Sequence, residues 1–261
     1  TLSKGDLKKV KEALPKRHSD LRLVCERGRW FLCIPSKQKR SIAENQGWIV
    51  ALDPGIRTFQ TFYSETCCGK LGKGDFGKIQ RICSHMDALV SKHKLEKERF
   101  KKKSLKRALN RMQNRIRDLI DELHHKVALF LVKNFDVIVL PTFKVSQMVV
   151  RGARKITTKY VRSMMTFAHY RFKLFLKHKA FEYGKIVLDQ NEAWTSKTVS
   201  WSGEVIPNLG GSKVIKSSVL GEMDRDYNGA RGIFLRALGD HPILRDATAP
   251  GLRKEASGSV N

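Results

Sequence analysis

The chain has 261 residues, 41% of them hydrophobic, and a formal net charge of +26 from 51 Lys and Arg against 25 Asp and Glu. This length and apolar content allow one large domain, or a domain with an insertion, to bury a real core. No apolar run reaches transmembrane length, so we expect no membrane partner.

The large positive charge favours a polyanionic partner, most simply nucleic acid. A ribosomal-type RNA binder and a merely solvated basic surface are the alternatives at this point. The five cysteines are odd in number and none stands in a C-x-x-C pair. With no visible signal peptide, this usage predicts an intracellular, reduced protein, nuclear if the host is eukaryotic.

Short strands are predicted in the first third of the chain. Residues 21–25 and 29–35 read as two strands joined by a turn at 26–28. The apolar run at 48–52 predicts a buried strand that ends sharply at Asp53-Pro54-Gly55. Residues 58–63 predict another strand and 76–82 a further one, which together would form a meander.

A helical period begins near Met86 and produces one long apolar stripe. The stripe consists of Leu105, Leu109, Met112, Ile116, Leu119, Leu123, Val127 and Phe130.

The N-terminal half of this helical region is strongly basic. Between Lys92 and Arg117 there are twelve Lys and Arg and two Glu. This excess of one sign is too large for salt bridges along a helix and favours a face that binds nucleic acid, although a solvated face is the alternative. The residues expected to bind nucleic acid here are Lys92, Lys94, Lys101, Lys102, Lys103, Lys106, Arg107, Arg111 and Arg115.

The remaining elements complete an α/β pattern. Residues 136–140 predict a buried strand ended by Pro141, 155–179 an amphipathic helix, and 183–188 a further strand. Residues 193–222, rich in Ser, Gly and Thr, indicate an insertion before a last helix at 224–238. This order predicts a ribonuclease H-like mixed sheet flanked by helices, with a small inserted lobe.

Three carboxylates stand where such a fold positions metal ligands. Asp53 follows a buried strand, and Asp224 and Asp226 begin a helix. Carboxylates from distant parts of the chain can meet on one rim of a mixed sheet and hold Mg²⁺. The alternatives are that Asp53 caps the turn that follows it and that Asp224 or Asp226 caps the helix.

The ordered set of segments resembles the RuvC nuclease portion of the TnpB proteins of bacterial transposons, and more closely their eukaryotic relatives, the Fanzor proteins. The likeness runs from about residue 21 to residue 238. The segments that carry it are 53–58, 124–126, 136–143, 169–172, 191–198 and 224–231.

The resemblance implies RNA-guided cleavage of DNA by a RuvC centre with two Mg²⁺ ions, or Mn²⁺, and therefore DNA and a guide RNA as partners. It implies Asp53 and Asp226 as metal ligands, with Asp224 as the alternative to Asp226. TnpB proteins carry a Glu at the place of Pro141; here, as in Fanzor proteins, the resemblance implies a Glu from further along, which is Glu192. Arg225 is expected to contact the scissile phosphate.

The insertion lacks the zinc ligands that the family usually carries. The two C-x-x-C-G knuckles correspond to residues 199–203 and 217–221, where the glycines remain but all four thiolates are replaced. Since Val and Leu cannot bind zinc and Ser is a poor ligand, we predict no zinc.

The resemblance also divides the chain. It implies the end of a preceding β-rich, wedge-like nucleic-acid-binding domain at 1–45, the RuvC core at 46–192 and 223–240, a degenerate zinc-ribbon lobe of the target-nucleic-acid-binding type at 193–222, and a flexible tail at 241–261. The chain is thus expected to be a truncated form. Two other functions stay open: a catalytically silent, transposon-derived DNA or RNA binder, and a DD(E)-type transposase.

Overall fold

The computed structural model describes residues 20–37, 47–142, 165–191 and 195–244 except 196, 208, 211 and 220, together with 8 and 12. Glu192, the predicted helical residues 155–164 and the chain after 244 lie outside the described residues. The chain divides into two compact units, residues 1–39 with 85–116 and residues 40–84 with 117–261.

The first unit contains the predicted N-terminal hairpin. Strand β1 (Arg22–Glu26) pairs antiparallel with β2 (Arg29–Cys33), which confirms both strands. The turn between them uses Arg27 and Gly28, both with positive φ. Within this unit, the Asn114 side chain donates a hydrogen bond to the carbonyl of Arg27 at 3.4 Å.

The second unit is built on a mixed five-stranded sheet. Its strands are β3 (Ile49–Pro54), β4 (Gln60–Ser64), β5 (Cys68–Leu71), β6 (Val137–Pro141) and β7 (Ile186–Gln190). The order is β5-β4-β3-β6-β7. β3 pairs antiparallel with β4 and parallel with β6, and β7 continues the parallel half. The α/β class is confirmed. Strand β3 lies in the middle of the sheet, and its four apolar residues are therefore almost fully buried.

One predicted strand is wrong. Residues 76–82 belong to helix α1 (Asp75–Leu95), and the third strand of the meander is instead β5. Ile79 and Cys83 are buried four residues apart, which is the spacing of one helix face. An even spacing of four residues also places both side chains on one face of a strand, so the local pattern did not distinguish a helix from a strand here.

The predicted long helix is two helices. α1 ends at Leu95 and α2 (Arg99–Asn134) follows after three residues. In the C-terminal half of α2 the predicted apolar stripe is buried, as Leu123 and Val127 show. Two later helices are α3 (His169–Glu182) and α4 (Arg225–Asp240). The first confirms the described part of the helix predicted at 155–179, and the second confirms the last predicted helix.

Helix α4 covers one face of the sheet. Ile233, Phe234 and Ala237 pack against Ile49 and Ala51 in one buried cluster. Side chains alternate along a strand, so Asp53 points to the same face as Ile49 and Ala51. The sequence period therefore directs Asp53 toward α4.

The inserted segment carries a small hairpin of its own. Strand β8 (Val214–Lys216) pairs antiparallel with β9 (Glu222–Asp224), which leads directly into α4. Val199 and Ile215 are fully buried in this part of the chain. None of the described helices is both long enough and apolar enough to cross a lipid bilayer.

Candidate metal centre

A row of side chains crosses the sheet at the level of Asp53. Asp53 is the register partner of Thr61 on β4, and Thr61 is the partner of Lys70 on β5. Because directly opposed residues share a face, Asp53 and Lys70 both face α4. On the parallel side, Pro141 pairs with Gln190 at the ends of β6 and β7.

Asp53 lies directly against α4 at Gly229. A Cβ atom at position 229 would lie 2.5 Å from Oδ2 of Asp53, which is closer than real Cβ atoms come to another heavy atom. Only glycine therefore fits beside this carboxylate without a shift of the helix or of Asp53. Asp226 precedes Gly229 by three residues, about one helical turn, so two acidic residues belong to one end of α4 and the strand beneath it.

Asp224 and Asp226 play different parts at the start of α4. Asp224 is the N-cap, and its carboxylate accepts a hydrogen bond from the Asp226 backbone N–H at 2.9 Å. Burial works against its charge, but the hydrogen bonds from Lys70 and from the helix N–H groups outweigh it and lower the pKa of Asp224. Asp226 directs a side chain that is 52% exposed toward solvent.

Lys70 joins both carboxylates. Its Nζ lies 2.7 Å from Oδ2 of Asp224 and 3.3 Å from Oδ2 of Asp226. The same ammonium group lies 5.1 Å from the centre of the Tyr227 ring. Burial opposes its charge, but the hydrogen bond to Asp224 and the negative charges of Asp226 and Asp224 prevail and raise the pKa of Lys70. At neutral pH the ammonium group of Lys70 therefore carries a full positive charge beside the carboxylates of Asp224 and Asp226.

The donor set suits a hard cation but is incomplete in the described part of the chain. Carboxylate oxygens are the ligands that Mg²⁺ prefers, and Gly229 allows the Asp53 carboxylate to lie directly against the helix. Among residues 47–142, 165–191 and the described part of 195–244, no group of three or more His, Cys, Asp or Glu side chains is arranged to hold a metal. Glu192, the expected third carboxylate, lies outside that description.

The other expected residues fall into two places. Arg225 donates from Nη1 to the carbonyl of Gly210 at 3.1 Å. The nine basic residues from Lys92 to Arg115 are all exposed, on α1 and α2, and belong to the unit that contains residues 85–116.

Two buried histidines support the turn that follows Asp53. The ring of Phe59 is stacked between His124 and His169, each with a centroid distance of 5.2 Å. His124 lies 2.9 Å from the carbonyl oxygen of Phe167, and the backbone carbonyl of Phe59 accepts a hydrogen bond from the Gly55 N–H at 3.3 Å. Burial lowers the pKa of both histidines to about 4, so the stack is neutral at physiological pH.

The inserted segment is tied to α4 by Asn228. This fully buried side chain accepts from the Ser200 N–H at 2.9 Å and donates to the Thr198 carbonyl at 2.8 Å. Arg231 adds a hydrogen bond to the Ser200 hydroxyl at 3.0 Å. Since Asn228 precedes Gly229, the same helical turn positions both the segment and the Asp53 carboxylate.

A carboxylate connects the two turns that correspond to the zinc knuckles. In the first turn the Gly203 N–H donates to the Val199 carbonyl at 2.8 Å, and Gly203 has a positive φ. Glu204 follows it and accepts from the Ser218 N–H at 2.9 Å and the Ser218 hydroxyl at 3.0 Å, in the second turn. These backbone and side-chain hydrogen bonds lower the pKa of Glu204.

Sequence reasoning brought Asp53, Asp224 and Asp226 to this site but missed Lys70, Asn228 and Glu204. No sequence pattern indicated a role for Lys70, because β5 was not predicted and a single Lys does not stand out in so basic a chain. Asn228 carried a weak one, since a polar residue inside the apolar face of a helix needs hydrogen-bond partners when it is buried.

Comparison with known proteins agrees with this architecture. Residues 169–233 match the family model described as Cas12f1-like, TNB domain. The chain is 29% identical over 216 residues to TnpB-like protein L79 of Acanthamoeba polyphaga mimivirus, which covers 79% of this chain and 40% of that protein. It is 28% identical over 220 residues to Putative transposase R186 of the same virus, which covers 82% and 45%.

A solved structure shares the fold. The cryo-EM structure of the Cas12f1-sgRNA-target DNA complex superposes with a TM-score of 0.52 at 14% identity, covering 82% of this chain and 55% of that chain. Fold and site define an α/β protein with paired acidic residues at the rim of a mixed sheet. The chain is similar to TnpB-like proteins over most of its length, and it spans less than half the length of L79 and R186.

Proposed function

We propose that the chain is the nuclease portion of a transposon-derived, RNA-guided DNA endonuclease, with a ribonuclease H-like core of the RuvC type. One observation carries this proposal: the Asp53 carboxylate lies against Gly229, one helical turn from Asp226. That geometry brings acidic residues about 170 positions apart in the sequence to one rim, as two-metal phosphodiester hydrolysis requires.

Each acidic residue has a proposed role. Asp53 and Asp226 would hold Mg²⁺ or Mn²⁺, and the bound metal would activate water and stabilise the leaving oxygen. Glu192 is proposed as the third ligand, because it follows Gln190 at the end of β7 and because Pro141 offers no carboxylate on the intervening strand. Asp224 would cap α4 and fix its first turn.

DNA and a guide RNA are the proposed partners. The similar solved protein is named in complex with a single guide RNA and target DNA, and the net charge of +26 suits a polyanion. Nine exposed basic residues on α1 and α2 supply a surface for phosphate contacts.

The proposal is tested by Mg²⁺-dependent and Mn²⁺-dependent cutting of labelled single-stranded DNA by the whole chain. Asp226→Asn and Glu192→Gln should each lower the cleavage rate at least about a hundredfold, since removing a metal ligand removes several kcal/mol of transition-state stabilisation. Glu222→Gln is the matched control, because Glu222 precedes α4 but pairs only with the exposed Lys216 among its described ion pairs. Loss in Asp226→Asn with full activity in Glu192→Gln would show that another group is the third ligand.

A second function is a nucleic-acid binder that does not cut. It is favoured by the replaced thiolates of the insertion and by the ion pairs of the Lys70 ammonium group with Asp224 and Asp226 at the start of α4. Salt-sensitive DNA binding with no cutting in Mg²⁺ or Mn²⁺ would support it. Because R186 is named a putative transposase, the same reaction mixtures should be checked for strand transfer into target DNA, which a DD(E)-type transposase would produce.

A further inference from the structure

The ion pairs of Lys70 are unequal. Asp224 is the nearer partner at 2.7 Å, and its carboxylate is also fixed by the helix N–H that it caps. Asp226 is farther from Nζ, at 3.3 Å, and its side chain is the more exposed of the two, 52% against 38%. Lys70 is therefore held firmly by Asp224 and only loosely by Asp226.

The surroundings keep the ammonium group in place when one partner leaves. Lys70 is only 17% exposed, extends from the edge strand β5 and lies over the Tyr227 ring at 5.1 Å. A cation over an aromatic face gains electrostatic stabilisation in addition to its ion pair. Asp224 and Tyr227 together can thus retain Lys70 without Asp226.

We propose that Lys70 is an internal counter-ion of the metal centre. Its ammonium group holds Asp226 at the start of α4 until a divalent cation replaces Lys70 as the partner of Asp226, and the ion pair between Lys70 and Asp224 persists. This inference rests on the proposed function, because it assigns Asp226 to a metal. Lys70 is here a positioning residue, since it acts through Asp226.

Electrostatics gives the direction of the effect. Without metal, Asp53, Asp224 and Asp226 place like charges around one helical turn, and Lys70 offsets part of that repulsion. With metal bound, the divalent charge replaces this contribution at Asp226. Removal of the lysine charge must therefore destabilise the metal-free protein more than the metal-bound protein, and so must tighten metal binding.

The test compares the wild-type chain with Lys70→Gln in two measurements that do not depend on cleavage. In EDTA, the melting temperature of Lys70→Gln should be lower than that of the wild type. Titration with Mn²⁺, followed by the paramagnetic resonance of the free ion, should give a dissociation constant smaller by a factor on the order of five, the size expected for loss of a partly exposed charge interaction. Mn²⁺ should also raise the melting temperature more in Lys70→Gln than in the wild type.

Two further variants separate this role from a structural one. Lys70→Arg keeps the charge and should restore the wild-type Mn²⁺ affinity. Lys173→Gln removes a comparable ion pair, 2.8 Å from Asp189 and 25% exposed, on another part of the same unit. It should lower the melting temperature equally with and without Mn²⁺ and leave the affinity unchanged.

The outcomes distinguish the two proposals. If Mn²⁺ binds, Asp226→Asn abolishes that binding and Lys70→Gln binds Mn²⁺ no more tightly than the wild type, the counter-ion role is wrong and the metal centre stands. If the wild-type chain binds no Mn²⁺ and does not cut DNA, the proposed function is wrong and this inference fails with it. Equal losses of melting temperature in EDTA and in Mn²⁺ would show that Lys70 is only structural.

Discussion

At position 229 the helix has no side chain, and the Asp53 carboxylate occupies the space that one would need. A Cβ atom there would meet Oδ2 of Asp53 at 2.5 Å and its Cγ at 3.3 Å. The carboxylate belongs to a buried central strand whose backbone is held on both sides by β4 and β6. The helix and the acid are therefore matched to each other, and in the proposed function this contact lies at the metal centre.

Gly229→Ala tests that match at a single atom. The added methyl must push either Asp53 or α4 away, so we expect metal-dependent cleavage to fall by at least about tenfold, the cost of misplacing a reacting group. Gly239→Ala is the control on the same helix, because a Cβ at 239 meets nothing within 4 Å. It should leave cleavage unchanged and stabilise the fold by up to about 1 kcal/mol, since alanine favours helix over glycine.

These two variants are compared by cleavage rate and by urea unfolding. Full activity in Gly229→Ala with an unchanged fold would mean that Asp53 does not need its present position. Equal loss of activity in both variants would mean that α4 tolerates no substitution, whatever its contact with Asp53.

At the scale of elements, the inserted segment shows how the chain connects two turns without thiolates. Glu204 binds the second turn through the Ser218 N–H and hydroxyl, and lies 3.4 Å from the Ser217 hydroxyl. The first turn ends directly before Glu204, whose carbonyl accepts from the Val199 N–H at 2.8 Å. A carboxylate and its hydrogen bonds thus connect the two turns.

The lowered pKa of Glu204 makes this connection sensitive to acid. A carboxyl group with a lower pKa in the folded than in the unfolded state stabilises the fold above the unfolded pKa and loses that contribution as the pH falls through the folded pKa. We expect the protection factor of the Ser218 amide, which compares its exchange rate with the intrinsic rate at the same pH, to fall below about pH 4.3 and, at neutral pH, in Glu204→Gln. Hydrogen exchange measured by NMR or mass spectrometry over residues 212–219 checks both effects.

Glu222→Gln is again the control, because Glu222 lies on β9 of the same segment and pairs with Lys216 at 2.8 Å. It should leave the exchange of Ser218 near the wild-type rate. Slow exchange in Glu204→Gln would show that packing around Val199 and Ile215 alone holds the second turn.

The elements themselves were predictable where their periods were long. The run before Asp53 and the apolar positions of α2 and α4 encode their buried faces directly. β5 was not predictable, because its four residues contain a glycine and a lysine and are at most half-buried. Its partner strand β4 determines it, and the role of Lys70 exists only through that pairing and through α4, more than 150 residues away.

The site was predictable in part for the same reason. An acidic residue after a buried strand and acidic residues at a helix start are local patterns, so Asp53, Asp224 and Asp226 could be named from the sequence. The different roles of Asp224, which caps α4, and Asp226, which does not, depend on the N-cap geometry and on the ion pairs with Lys70. Both are features of the folded structure. The anchoring by Asn228 depends in the same way on where the inserted segment returns to α4.

At the scale of the whole molecule, the charge of +26 should govern binding to nucleic acid. Each phosphate contact lowers the logarithm of the binding constant by about 0.7 per tenfold rise in salt for single strands. Replacing Lys102, Lys103 and Arg107 by Gln should therefore reduce the salt slope by about 2 and weaken binding similarly for all sequences. Fluorescence anisotropy with labelled single-stranded DNA measures both quantities.

A control with the same loss of charge is available in the second unit. Lys78, Lys126 and Lys216 are exposed and pair with Asp75, Glu122 and Glu222. Their combined replacement by Gln should change the slope by less than half as much. An equal change in both triple variants would show that net charge acts without a defined surface.

The central claim is that Asp53 makes this rim a metal-dependent nuclease centre, and its most direct test is the rate of single-stranded DNA cleavage against Mg²⁺ concentration for the wild-type chain and Asp53→Asn. The control is Asp189→Asn. Asp189 lies on β7, and its carboxylate forms ion pairs with Lys173 and Lys177. We expect saturable, Mg²⁺-dependent cleavage in the wild type and in Asp189→Asn, and a loss of at least about a hundredfold in Asp53→Asn. Cleavage by Asp53→Asn at the wild-type rate, with the same Mg²⁺ dependence, would contradict the account.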